Sequence, residues 1–243
     1  ESIIKQKRNR MGNLSVGAVL KQHGYTVQYL YGGDSYFDNM GDFFSHNGYE
    51  VIDRSAIKPA DVTFANIWGV CDEDMFNKSL EVFDADAKRG KPFFGQIMTT
   101  SNHRPYTYPE GRIKVDGNPH TRDAAVKYTD YAIGKFIEQA AKKPWFDNTV
   151  FVIIADHCAS SAGKTTLPVD RYHIPCLIYS PKHIAPQAVK TVCSQIDVMP
   201  TLLSMLGLPY QVRFTGQDIF APNYHPRAFM ATYQNLGYFE NNC

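Results

Sequence analysis

Nowhere does the sequence approach the ~18 consecutive apolar residues that a membrane-spanning helix requires. An excess of one charge is equally lacking: 25 Lys and Arg stand against 24 Asp and Glu, a formal net charge of +1. No five like charges run together, so nothing points to nucleic acid or to a polybasic membrane anchor. The basic stretch from Lys5 to Arg10 is short and reads as a solvated loop. The five cysteines, Cys71, Cys158, Cys176, Cys193 and Cys243, form no CxxC pair and fit no zinc ribbon. They read as small buried apolar side chains. A Cys176–Cys193 bridge has no support in the pattern, and the redox compartment stays open. Repeats, low-complexity segments and Gly/Ser-rich linkers are also missing, so residues 1–243 read as a single domain. Residue 1 is Glu, and the chain reads as a piece of a longer protein.

What is present is an alternation of strand and helix patterns. Strands are expected at Tyr25–Tyr31, stopping at Gly32-Gly33, at Glu50–Asp53 and at Lys91–Thr100. Two short, almost wholly apolar runs, Thr149–Ala155 and Ile174–Ser180, have the composition of strands buried on both faces of a parallel sheet. Arg227–Tyr233 is expected as the last strand. Helices are expected in the "FDNMGDFFSHNGY" segment closed by Gly48, and from Glu73 to Lys88 behind the acidic cluster Asp72-Glu73-Asp74. Another is expected at Asp197–Gly207, with Pro200 near its start. The clearest is Thr121–Lys143, where Ala125, Tyr128, Ala132, Phe136 and Ala140 recur at helical spacing, flanked by Ile133 and Ile137. This order predicts an α/β fold, a three-layer α/β/α sandwich on a mainly parallel sheet. Ligands of such sheets gather at the carboxyl ends of the strands.

Three of the expected strands end in chemically capable residues: Gly32-Gly33-Asp34, Thr100-Ser101-Asn102-His103 and Asp156-His157. Asp156 and His157 supply an oxygen and an imidazole nitrogen suited to Zn²⁺ or Mn²⁺. A carboxylate at the end of a buried strand needs a partner, and a metal, a salt bridge or a cap would each provide one. His103 could donate a proton or hydrogen bond to a phosphoryl oxygen that Arg104 clamps. The same segment could equally be a turn network in which Ser101 and Asn102 cap backbone groups. Lys164, in the loop after Asp156-His157, could meet an anion. His173 lines the same cleft or packs, and Tyr36 could reach it from beside Asp34. The set Tyr29, Tyr31, Tyr36 and Phe37 has the look of core. His23, His46, His120, His183 and His225 show no convergent pattern.

The segments "YGGDSYFDNMGDFFSHNGY", "IWGVCDEDMF", "TTSNHRPYTYP", "ADHCASSAGK" and "QIDVMPTLLSMLG", in that order over nearly the whole chain, resemble the lipoteichoic acid synthase family. That family lies within the sulfatase and alkaline-phosphatase superfamily, and the "GGDSYFDNM" and "HCASSAGK" forms are similar to Gram-negative phosphoglycerol transferases. The resemblance implies a catalytic domain at the extracytoplasmic face of the bacterial inner membrane, in the periplasm, tethered by N-terminal membrane helices. It implies one divalent metal, Mn²⁺ foremost with Zn²⁺ or Mg²⁺ as alternatives, and a Thr nucleophile. That Thr takes a headgroup from a lipid donor and passes it to a glycan or lipid acceptor through a covalent phospho-Thr-type intermediate. Carried onto this sequence, Asp156 and His157 fit the metal pair and His103 the substrate-contacting histidine. Arg104, Lys164, Asp34, Tyr36 and His173 are the expected substrate-binding residues.

Two departures narrow this expectation. The "YGGDSYFDNM" stretch lacks the His, Trp and Arg types with which Gram-positive members contact glycerophosphate, so phosphoethanolamine stands beside phosphoglycerol as the transferred group. The family's nucleophilic Thr and first acidic ligand precede the segment that "ESIIKQKRNRMGNLSVGAVLKQHGY" resembles. The chain is therefore expected to be a C-terminal portion, inactive by itself. A sulfatase or phosphodiesterase that passes the group to water, and a binding module with a vestigial site, are the competing readings.

Overall fold

The computed structural model describes residues 4, 12–13, 15–159, 167–211, 215–232 and 235–241. They fall into two compact units, Glu1–Phe146 and Asp147–Cys243.

The first unit opens with helix α1 (Val16–Gln22), whose N-cap Ser15 accepts from the Ala18 N–H. Strand β1 (Thr26–Tyr31), helix α2 (Met40–His46) and strand β2 (Glu50–Ile52) follow. A small hairpin, β3 (Ala65–Asn66) and β4 (Gly69–Val70), leads into α3 (Asp72–Lys88), β5 (Phe93–Met98) and α4 (Arg122–Ala140). The sheet order is β2-β1-β5, and both pairings are parallel.

Alternation along β1 places helices on both faces. Gln28 donates to Asp86 of α3 at 2.5 Å, and Leu30 shares that face with Phe83 of α3 beside Gly95. Tyr29 points the other way, stacked on Phe44 of α2 at 3.9 Å. Helix α4 packs on α3 through Phe76 and Phe136, stacked at 4.9 Å. It buries Ala125, Tyr128, Ala132, Phe136 and Ala140, the stripe expected from its spacing, with Thr121 as its N-cap. Tyr29 and Tyr31 are core, but Tyr36 is 91% exposed and Phe37 is half exposed, so the aromatic set divides at Gly32-Gly33.

The second unit contains β6 (Phe151–Ile154), β7 (Cys176–Tyr179), α5 (Val198–Met205), β8 (Ala228–Ala231) and β9 (Leu236–Phe239). The two apolar runs expected in a parallel sheet instead pair antiparallel, Phe151 with Tyr179 and Ile154 with Cys176. They are not buried on both faces: Leu177 is 61% exposed. An apolar run encodes a preference for burial, but neither direction nor the number of covered faces. The strand at Ala228–Ala231 is not the last, since β9 folds back on it antiparallel. Cys71 is buried as expected, whereas Cys176 and Cys193 are exposed.

The centre of this unit is an ion pair. Asp197 and Arg227 are both buried, and the guanidinium donates to the two carboxylate oxygens at 2.6 and 2.8 Å. Asp197 also accepts from the N–H groups of Ser194 and Gln217 and from the Tyr224 hydroxyl.

Candidate functional site

Three loops converge at the carboxyl ends of β1, β2 and β5. Beyond β1, the Gly32 carbonyl accepts from the Val70 N–H at 2.9 Å, and the Gly33 carbonyl accepts from the Arg54 N–H at 3.1 Å. Beyond β2, the Asp53 carboxylate takes the N–H and hydroxyl of both Ser35 and Ser55. Burial pushes the Asp53 carboxyl up, and those four donors outweigh it and hold it below the usual carboxylate value. Beyond β5, the Thr100 hydroxyl donates to the Val70 carbonyl at 2.8 Å.

The β5 loop is tied down by a buried acid. Asp72 Oδ1 accepts from the N–H groups of Thr100 and Ser101 at 3.0 Å each, and Oδ2 accepts from the Thr129 hydroxyl at 2.8 Å. Ser101 returns the contact by accepting from the Asp72 N–H. Its part is the capping role read from the sequence. The acidic cluster at the start of α3 is thus more than a helix-dipole device, since Asp74 also holds the Thr63 and Phe64 N–H groups.

On this frame His103 and Arg104 are exposed. The His103 Nδ1 lies 3.2 Å from the Arg104 carbonyl. A carbonyl only accepts, so Nδ1 carries the hydrogen and the neutral ring keeps its lone pair on Nε2. The Arg104 Nε–H points at the Tyr106 hydroxyl, 3.5 Å away. Asp34, also exposed, accepts from the Tyr36 N–H at 3.0 Å, which turns the chain and leaves the Tyr36 ring in solvent. Asp34, Tyr36, His103 and Arg104 therefore sit on neighbouring loops at one end of one sheet.

Sequence reading missed Trp68. Its indole packs against the His103 imidazole, 3.8 Å between centroids with the ring planes tilted by 42°, and meets the Phe37 ring edge-on at 5.4 Å. The available signal was an apolar Ile-Trp pair between Asn66 and Gly69, where a hairpin tip ordinarily carries Asn or Gly.

In the second unit, Asp156 and His157 follow β6 as expected but are not buried, with side chains 60% and 79% exposed. The expected cost of an unpaired buried carboxylate does not arise, because the Asp156 side chain is in solvent and the strand before it is only partly buried. The His157 Nδ1 lies 2.7 Å from the Cys158 carbonyl, which fixes its hydrogen and leaves the Nε2 lone pair 3.5 Å from Asp156 Oδ2. Gln195 holds the turn by donating to the carbonyls of Ala155 and Asp156. Two metal-competent atoms thus lie 3.5 Å apart, a separation that fits two positions of a divalent site. Among the described residues no three His, Cys, Asp or Glu side chains form a metal-holding group. His173 is exposed at the end of the short turn Val169–Tyr172. Lys164 lies outside the described residues.

A parallel sheet covered by helices, with its polar loops at the carboxyl ends, is a ligand-binding α/β fold. Its solved neighbours place it within the alkaline phosphatase superfamily. A protein of that superfamily from Vibrio parahaemolyticus superposes with a TM-score of 0.93 at 39% identity, covering 99% of this chain and 59% of the other. The lipoteichoic acid synthase LtaP from Listeria monocytogenes shares the fold, with a TM-score of 0.78 at 24% identity over 90% of this chain and 59% of that one. The Sulfatase family model matches residues 6–208, across both units, and the chain belongs to that family. Phosphoglycerol transferase I of Xanthomonas euvesicatoria pv. vesicatoria is 25% identical over 238 residues, 91% of this chain and 33% of that protein. Phosphoglycerol transferase I of Salmonella newport is 27% identical over 209 residues, 80% of this chain and 27% of that one. The chain spans about a third or less of the length of these curated relatives.

Proposed function

We propose that this chain carries the substrate-contacting and metal-binding part of an enzyme that transfers a phosphoglycerol or phosphoethanolamine group from a lipid headgroup to a glycan or lipid acceptor. The observation that carries the reading is the placement of Asp156 Oδ2 3.5 Å from Nε2 of His157, with both side chains open to solvent. Similarity to two phosphoglycerol transferases supports the reaction class.

Asp156 and His157 would hold one divalent ion, Mn²⁺ foremost, which neutralises phosphoryl charge and favours an ionised nucleophile. With Nδ1–H engaged by the Arg104 carbonyl, Nε2 of His103 is the nitrogen left to face the substrate, and it meets a phosphoryl or leaving-group oxygen as a donor when the ring is protonated. In its protonated form it hands that proton to the departing glyceride oxygen as the phosphorus–oxygen bond breaks. Arg104 contributes a fixed positive charge for the phosphoryl oxygens. The attacking oxygen comes from a Thr outside these 243 residues, and the acceptor hydroxyl displaces it in a second step. Such an enzyme works at the extracytoplasmic face of the inner membrane, where lipid headgroups and envelope glycans meet. No helix among the described residues is long and apolar enough to cross a membrane.

The test is calorimetric titration of Mn²⁺ into this chain and into a longer chain extended upstream through the expected Thr, each with and without Asp156→Ala. Transfer of labelled headgroup from phosphatidylglycerol or phosphatidylethanolamine is then measured in the longer chain. Tight binding confined to the longer chain and lost in Asp156→Ala, with diacylglycerol released, supports the reading. Equal binding that ignores Asp156 removes it and leaves a binding module. Release of the headgroup to water alone makes the enzyme a hydrolase.

A further inference from the structure

The hairpin between β3 and β4 has a two-residue tip, Ile67-Trp68, set by the pairing of Asn66 with Gly69. Neither tip residue has positive φ. The backbone reversal is carried by Gly69 at φ +149° and by Asn66, whose Oδ1 accepts from the Trp68 N–H at 2.8 Å. Local turn chemistry does not require a tryptophan here. Ile67 beside it is 83% exposed, so the tip as a whole is not buried core.

The ring contacts and the indole hydrogen bond of Trp68 lead to loops that carry candidate site residues. The ring lies on His103, and its Nε1–H donates to the Arg104 carbonyl, the same oxygen that engages His103 Nδ1. Asn66, two residues earlier, donates to the Thr107 hydroxyl at 3.0 Å and ties the hairpin to the far side of the same loop. On the other flank the Trp68 carbonyl sits against Gly33, where an added Cβ would come within 2.4 Å of it. Phe37 backs the indole edge-on.

We propose that Trp68 is a positioning residue that fixes the imidazole plane of His103 and the direction of the Arg104 carbonyl, and through them the orientation in which Nε2 meets a phosphoryl group. An exposed histidine on a surface loop would otherwise sample its rotamers freely, at an ordering cost whenever ligand binds. The indole face removes one rotational freedom, and the indole N–H holds the carbonyl that selects the tautomer. The role in phosphoryl recognition rests on the function proposed above, whereas the ring contact is independent of it.

The test is NMR of the full chain with labelled His and Trp. Ring protons of Trp68 and His103 are expected to cross-relax in the unsubstituted chain. The His103 ring resonances should carry an upfield ring-current displacement that vanishes in Trp68→Leu and persists in part in Trp68→Phe. Absence of cross-relaxation, or His103 resonances unmoved in Trp68→Leu, overturns the proposal, and the first measurement stands even if that variant fails to fold. Titration with glycerol 1-phosphate then separates the two readings. Binding weakened about tenfold in Trp68→Leu and restored toward wild type in Trp68→Phe supports the positioning role. Equal affinity in wild type and Trp68→Leu, with the stacking signature intact in the wild type, overturns that role. If glycerol 1-phosphate leaves His103 unmoved in the wild type, the function proposed for His103 fails, and the positioning role that rests on it fails too, while the stack remains.

Discussion

Asp72 and Ser101 hold each other twice: Asp72 Oδ1 accepts the Ser101 N–H at 3.0 Å, and Ser101 Oγ accepts the Asp72 N–H at 3.1 Å. The pair joins the start of α3 to the end of β5 and sets where the His103 loop leaves the sheet. Asp72→Ala strands the N–H groups of Thr100 and Ser101 and the Thr129 hydroxyl in a buried place. Each lost partner costs on the order of 1 kcal/mol or more, so a loss of about 3 kcal/mol is expected in urea unfolding. Thr129→Val, which removes only the third contact, should cost about 1 kcal/mol. Equal losses in the two variants would show that Asp72 does not organise the loop.

Gly69 admits no side chain. Its φ of +149° disfavours any L-residue, and an added Cβ would lie 2.1 Å from the Gly32 carbonyl oxygen, a backbone atom unable to swing aside. Gly69→Ala is expected to cost about 3 kcal/mol or more and to displace Trp68 from His103. A melting temperature within a degree or two of wild type would contradict the close approach of the two loops.

Asp53 joins the loops after β1 and β2 by taking four donors from Ser35 and Ser55. Asp53→Ala should cost about 1–2 kcal/mol and release the segment that presents Asp34 and Tyr36. Amide hydrogen exchange at Ser35 and Ser55 reads this directly, and protection unchanged from wild type would exclude the role.

Helix α4 was legible because a 3.6-residue apolar spacing with small residues admits one face and one partner, and Ala125, Tyr128, Ala132, Phe136 and Ala140 are all buried. The chain-end chemistry of β1 and β5 was legible because glycine and polar clusters interrupt apolar runs. The direction of β6 and β7 was not, since apolar composition is the same for either pairing. Asp72 does stand in the first turn of α3 as expected, but its second role was hidden for a physical reason: an acid at a helix N-terminus is already explained by the dipole, and its partners at Thr100 and Ser101 are 28 and 29 residues away. Trp68 escaped because contact with His103 depends on a hairpin that only two pairs of residues define.

The second unit should fail in acid through one residue. Burial alone would push the Asp197 carboxyl up, but the Arg227 guanidinium, the Ser194 and Gln217 N–H groups and the Tyr224 hydroxyl outweigh it and hold it below the ordinary value. Burial and the neighbouring Asp197 push the Tyr224 hydroxyl up in turn, so it remains the donor in that contact. A carboxyl depressed in the folded state stabilises the fold fully above its unfolded value of about 3.9, and that contribution drains away as pH falls through the folded value. The melting temperature of this unit is therefore expected to hold from pH 7 to about 5 and then to fall. Asp197→Ala leaves the Arg227 charge buried without its carboxylate and should cost about 3–5 kcal/mol at pH 7. Asp197→Asn keeps an acceptor and should cost less, while flattening the acid limb because nothing at that position titrates. If Asp197→Asn instead falls with acid as steeply as wild type, other carboxylates govern the unfolding, and the Asp197–Arg227 pair is not what holds the second unit together.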